Sequence, residues 1–175
     1  QITGVGKSGV LNELFQSPFT LHDMVMKGIE RETYNALNGE KAEIIAKMNS
    51  LVENQVIRAL YIASQAGVKI TLIVRGACAL RPQLAGVSDN IIVKSVVGRF
   101  LEHHRIFYFH DSGNENVFIA SADWMNRNFF KRVETCIPIL NPKIKRRVLA
   151  EGLTIYIQDN VNSWLMNHDG SYTKT

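Results

Sequence analysis

Two apolar runs, 42-AEIIAKMNSL-51 and 68-VKITLIV-74, flank a stretch of helical periodicity, and that order constrains the fold more than any other feature of the chain. Each run has the length of a strand, and the second is rich in β-branched residues. Between them Val52, Val56, Ile57, Leu60 and Ala63 fall on one helical stripe. Ser50-Leu51-Val52-Glu53 has the spacing of a capping box ahead of that helix, and Gly67 supplies the left-handed residue that ends it. Strand, helix and strand in this order predict a βαβ unit with its two strands parallel. Open parallel sheets bind ligands outside the carboxyl ends of their strands. Here those ends carry Lys47 and Asn49 on one strand and Arg75 on the next.

The flanking sequence extends the α/β pattern. Leu21, Met24, Val25, Ile29, Ala36 and Leu37 recur at helical spacing between Thr20 and Leu37, with Asn38-Gly39 as a stop. After a loop containing Arg81-Pro82, the run IIVKSVV reads as a further strand. Apolar runs at 104–110 and 117–121 flank DSGNE, a turn-rich loop of hairpin length. VETCIPIL reads as a strand in which Pro138 marks an edge or an ending. A last helix is expected from Asn141-Pro142, with Ile144, Val148, Leu149, Ile155 and Tyr156 turned inward. HDGSYTKT is expected to fray. One domain over residues 42–160 follows, preceded by a lead-in segment and helix (1–41) and followed by a flexible tail (161–175).

With 175 residues, 46% of them hydrophobic, the chain can build one core. A net charge of +4 and a pI near 9.1 suit anionic partners without requiring them. Cys78 and Cys136 have no partner at metal-ligand spacing and read as reduced, buried thiols. No apolar run approaches the roughly 20 residues of a transmembrane helix, and the start lacks a signal-peptide core. A cytoplasmic protein without a transmembrane segment is expected, and the start at Gln1 suggests a piece of a longer one. GVGKS at 4–8 is not a Walker A loop, because that pattern needs glycine where Gln1 stands.

The hairpin carries the chemistry. Side chains alternate along a strand, so His103, Arg105, Phe107 and Phe109 share one face. A turn centred on Gly113 would set Arg105 opposite Ser121 and His103 opposite Asp123. An imidazole, a guanidinium and a hydroxyl converging on one spot suit a phosphoryl group: arginine forks onto its oxygens, the hydroxyl donates, and the imidazole attacks or moves a proton. A register slip of one residue would send one strand's set to the other face. For His22, His104, His110 and His168 the ordinary reading is surface or partly buried histidine without chemistry. Arg75 also fits a solvated strand end, and Ser121 a turn cap. A metal site built from His103, His104 and His110 is disfavoured, since His103 faces away from the other two.

His103-x-Arg105, Ser121-x-Asp123 and then Glu134 resemble one copy of the phospholipase D superfamily signature, HxK followed by GSxN and an acidic residue. Arg105 stands for lysine, Ala120 for glycine and Asp123 for asparagine. IIAKMNSLVE, LYIASQAGVKITLIVRGACALRP, GVSDNI, GRFLEHHRIFYF and ASADWMNRN together resemble, in order, the C-terminal part of the bacterial polyphosphate kinase family. That resemblance implies a phospholipase D-like three-layer α/β/α sandwich with a mixed central sheet. It also implies reversible transfer of the ATP γ-phosphate to inorganic polyphosphate through a phosphohistidine in a preceding, related domain.

By position, His103 resembles the second active-site histidine of the family, and Arg75, with Arg105 and Ser121, a phosphate or ATP ligand. Glu134 and Asp123 are candidate orienting groups, with a surface ion pair to Lys131 or Arg132 the equal alternative for Glu134, and Arg81, Arg127 and Arg132 are candidates for a polyphosphate path, against an ordinary basic rim. ATP or ADP with Mg²⁺ is implied for the whole enzyme, with no metal ligand set in this chain. The implied partners are upstream domains of the same polypeptide, ATP, polyphosphate and further copies in a homo-oligomer, with no nucleic acid. Peripheral membrane association of the whole enzyme stays open. Two other readings stay open as well: a phospholipase D-type phosphodiesterase or nuclease whose site forms across a dimer, and a non-catalytic polyanion-binding domain.

Overall fold

The computed structural model describes residues 14–175, so GVGKS lies outside the described residues. In chain order the elements are β1 (Phe15–Gln16), α1 (Leu21–Leu37), β2 (Glu43–Met48), α2 (Asn54–Gln65), β3 (Lys69–Val74), β4 (Ile91–Val96), β5 (Arg105–Phe109) and β6 (Asn116–Ala120). They continue with α3 (Asn126–Phe130), β7 (Thr135–Pro138), α4 (Pro142–Leu149), a π-helical turn (Ala150–Thr154), α5 (Ile155–Gln158), β8 (Ser163–Met166) and β9 (Tyr172–Lys174). All nine strands join one sheet in the order β1-β7-β6-β5-β2-β3-β4-β8-β9. β2, β3 and β4 are parallel and every other pairing is antiparallel.

The βαβ unit forms where its apolar pattern predicts it. Helices cover both faces of the sheet, as the implied three-layer sandwich requires. On one face Leu21, Val25 and Ile29 of α1 and Val56 and Leu60 of α2 pack with Phe107, Phe109 and Trp124. On the other Ile73, Val96, Ile106, Tyr108 and Val117 pack with Leu153, Val148 and Tyr156 from the C-terminal helical segment. No described helix is long and apolar enough to cross a membrane. Cys78 and Cys136 are free thiols, pushed up to about 11 and about 12 by burial.

Several local expectations need correction. The capping box does not form. Glu53 itself caps α2, its carboxylate accepting from the amides of Gln55 at 3.1 Å and Val56 at 2.8 Å, while Val52 stays outside the helix. Residues 163–174 do not fray; β8 and β9 form a hairpin on the free edge of β4, which would otherwise expose a row of unpaired backbone groups. β7 is internal, covered by the two-residue β1, and ends at Pro138. Ile144 of α4 points outward at 52% exposure; beyond it the π turn changes the helical phase, so that Leu153 is buried and Ile155 is 53% exposed.

The hairpin register is one residue away from expectation: Arg105 pairs with Ala120, and Phe107 with Phe118. The connection spans 110–115, with left-handed residues at Asp111, Ser112, Gly113 and Glu115, so the turn is not centred on Gly113. Burial dictates the outcome. Phe118 must join the aromatic core beside Phe109, with ring centroids 6.2 Å apart, while Val117 and Ile119 face Tyr108 and Ile106 on the opposite side.

Candidate active site

Side chains from four strands meet at the carboxyl ends of β2 and β3. Arg75 follows β3, and its Nε donates to Asn49 Oδ1 at 3.1 Å across the end of β2. Lys47 lies within β2 and is 3% exposed. Its Nζ sits 3.7 Å from Glu102 Oε2 and 4.4 Å from the centre of the Tyr156 ring. Burial pulls the Lys47 ammonium down to about 8; Glu102 opposes the shift, while the nearby charges of Arg75 and Arg105 add to it. Three cations therefore share one field at the strand ends.

Asp123 organises the neighbouring corner. Arg105 grips it in a fork, and Asp123 Oδ1 also accepts from the amides of Asn49 at 2.6 Å and Ser50 at 3.4 Å. The strand has ended at Ala120, so alternation no longer applies, and Asp123 returns to the side of Arg105 despite the shifted register. Arg105 Nη1 donates to the carbonyl of His103 at 3.0 Å. Three of the guanidinium's five N–H donors are thus engaged within the chain. His103 is solvent-exposed, in the irregular segment that leads into β5.

Ser121 and Glu134 belong to a different corner. The Ser121 hydroxyl donates to Glu134 and accepts from the Thr135 amide at 3.1 Å. Glu134 also accepts from Asn128 Nδ2 at 2.6 Å. It is therefore the Ser121 hydroxyl and the Asn128 amide that Glu134 holds, not a histidine. Ser121 opens onto a cavity of about 560 Å³ that it shares with Arg105, His104, Ile106, Thr135 and Gly152. The hairpin register, set by apolar burial, pairs Arg105 with Ala120 in place of Ser121, yet Arg105 and Ser121 still line one cavity. Arg81, Arg127 and Arg132 are exposed. The guanidinium of Arg81 packs on Gly170 of the β8–β9 turn, where an added Cβ would lie 2.1 Å from Nη1.

Lys47, Glu102 and Tyr156 form a cluster that pattern reading did not single out. One signal was available: a lysine inside an apolar strand is costly to bury unless it is paired. Among the described residues no group of three or more His, Cys, Asp or Glu side chains could hold a metal ion. The carboxylates of Glu102 and Asp123 face Lys47 and Arg105 instead. This donor set does not fit a resident divalent cation.

The model of the family "Polyphosphate kinase C-terminal domain 2" matches residues 14–175. Polyphosphate kinases of Neisseria meningitidis and Paraburkholderia phytofirmans are 59% and 58% identical to the chain over 174 residues, covering 99% of it and 25% of each relative. The crystal structure of polyphosphate kinase from Porphyromonas gingivalis matches with a TM-score of 0.91 at 38% identity, over 97% of this chain and 26% of that one. Nuc, a phospholipase D family member from Salmonella typhimurium, matches with a TM-score of 0.60 at 16% identity, over 93% of this chain and 97% of that one, a likeness of fold alone. The chain spans about a quarter of the length of the curated relatives it matches. Sequence and architecture agree, and the chain belongs to the polyphosphate kinase C-terminal domain 2 family.

Proposed function

We propose that the chain supplies half of a phosphoryl-transfer site in a polyphosphate kinase that moves the γ-phosphate of ATP reversibly onto inorganic polyphosphate. The observation that carries this reading is the group of cations at the strand ends, Arg75, Lys47 and Arg105, with the exposed His103 beside it. Phosphoryl transfer asks a protein mainly for positioning and charge stabilisation. Arg75 keeps donors free beyond its bond to Asn49 and can take phosphate oxygens directly. Lys47 is buried and acts through its field. Arg105 has two N–H donors left for phosphate and also holds the His103 carbonyl.

His103 then serves as the proton donor or as a stabiliser of the transferring phosphoryl. The histidine that becomes phosphorylated lies in a related upstream domain. Because the carboxylates here are engaged by cations, Mg²⁺ belongs to the nucleotide phosphates as part of the substrate. Upstream domains and further copies of the polypeptide are the partners in this reading, in the cytoplasm where ATP is supplied.

The test is polyphosphate synthesis from labelled ATP by the full-length enzyme and its His103→Ala variant. Loss of synthesis, together with activity of the isolated chain only after mixing with the upstream portion, is the expected outcome. Normal synthesis by the alanine variant removes His103 from the reaction.

A further inference from the structure

His103 projects from residues 97–104, which lie between β4 and β5 and form neither strand nor helix. The Val97 amide donates to the Asn162 carbonyl at 3.0 Å, but no strand ladder continues from there to His104, and side chains fix the rest. On one side the His103 carbonyl is held by Arg105, itself forked on Asp123. On the other, Glu102 accepts a hydrogen bond from the Tyr156 hydroxyl and faces Lys47 Nζ at 3.7 Å. His104 adds a third link, its Nε2 lying 3.3 Å from the Gly152 carbonyl.

Two of these three links run to the C-terminal helical segment, and that segment is itself anchored. Lys94 of β4, 7% exposed, donates to the Ile157 carbonyl at 2.7 Å and to the Asp159 carbonyl, closing the end of α5. The π turn at Ala150–Thr154 sets the helical phase so that Tyr156 faces the sheet while Ile155 faces out. Gly152 lets this turn approach closely: an added Cβ would lie 2.2 Å from Ile106 Cδ1. The Tyr156 hydroxyl, pushed up to about 12 by burial and then by Glu102, stays a donor throughout the neutral range.

We propose that Glu102, clamped between Tyr156 and Lys47, is a positioning residue that sets the backbone from which His103 projects, and so governs phosphoryl transfer without touching substrate. The proposal rests on the reading that His103 acts in transfer. Tyr156 and the π turn become parts of the site through Glu102, although they lie far from His103 in sequence.

The experiment uses the full-length enzyme with ATP and polyphosphate and the variants Tyr156→Phe, Glu102→Gln, Glu102→Ala and His103→Ala, reading kcat, KM for ATP and the unfolding midpoint. Glu102→Ala, assayed well below its unfolding midpoint, is expected to lower kcat by about 100-fold, the scale of an ångström-size misplacement, with KM unchanged. The midpoint itself falls, because the buried Lys47 loses its carboxylate partner. Tyr156→Phe should cost about 10-fold, and Glu102→Gln, which still accepts the tyrosine hydroxyl, should recover most of the loss. Wild-type kcat in Glu102→Ala overturns the clamp. So does a loss of kcat that vanishes when the assay is run well below the variant's unfolding midpoint, or a glutamine variant no better than alanine. A His103→Ala enzyme with full activity overturns the underlying reading instead, whereas an inactive His103→Ala beside an unaffected Glu102→Ala overturns the clamp alone.

Discussion

Arg105 and Asp123 meet in a two-point fork, Nε to Oδ1 at 3.2 Å and Nη2 to Oδ2 at 3.1 Å, across the irregular ends of β5 and β6. Both side chains are largely buried, and the same carboxylate receives the amides of Asn49 and Ser50 at the end of β2. Asp123 thus ties the hairpin to the parallel strands at the point where the cations gather.

Asp123→Ala should destabilise the chain by about 3–5 kcal/mol, because it leaves a buried guanidinium and the Asn49 amide without their acceptor. Denaturant unfolding measures this. A change below about 1 kcal/mol would show that water replaces the carboxylate without penalty.

Lys47 makes stability depend on pH in an uncommon direction. Burial, with the two arginines, depresses its pKa from 10.5 to about 8. Below pH 8 the ammonium is charged in folded and unfolded chains alike. Between about 8 and 10.5 the unfolded chain keeps a proton that the folded chain has released, so the Lys47 contribution to stability rises with pH through that window. Lys47→Met removes the buried charge. Its unfolding midpoint should exceed that of wild type below pH 8, and the difference should shrink as pH climbs above 8. A difference that stays constant from pH 7 to about 10 would refute this account.

Gly28 of α1 packs against the ring of Phe109, and an added Cβ would lie 2.7 Å from two ring carbons. Phe109 is fully buried and cannot swing away. Gly28→Ala gains about 1 kcal/mol in helix propensity but overpacks the core at a cost of about 1–3 kcal/mol, so a net loss of stability is expected. Thermal unfolding of the variant decides it: a raised midpoint would mean that α1 shifts freely on the sheet.

How far the site was legible follows from how local each signal is. Arg75 and Asn49 stand at strand ends that the βαβ pattern places side by side, and they are bonded there. The His103-x-Arg105 spacing predicts an imidazole and a guanidinium on one strand face, but β5 begins at Arg105, and the guanidinium bonds the backbone carbonyl of His103 and not its imidazole. The Arg105–Ser121 pairing does not form, because it depends on a register that short apolar runs leave open by one residue, although both residues line one cavity. Spacing shows no more than proximity along the chain, and so leaves a histidine partner and an ion pair with Lys131 or Arg132 equally open for Glu134. Its hydrogen bonds go to Ser121 and Asn128 once β7 pairs with β6.

Local periodicity alone determined the α1 helix, the parallel β2–α2–β3 unit and the strand ends that carry Lys47, Asn49 and Arg75, since helix and strand periods are written in adjacent side chains. Tertiary structure decided the rest. The aromatic core around Phe118 chose the hairpin register, the free edge of β4 recruited β8 and β9, and the π turn brought Tyr156 to Glu102 and Lys47. Each of those outcomes depends on which distant surface is buried against which, and a pattern read along one segment carries no information about its partner across the sheet.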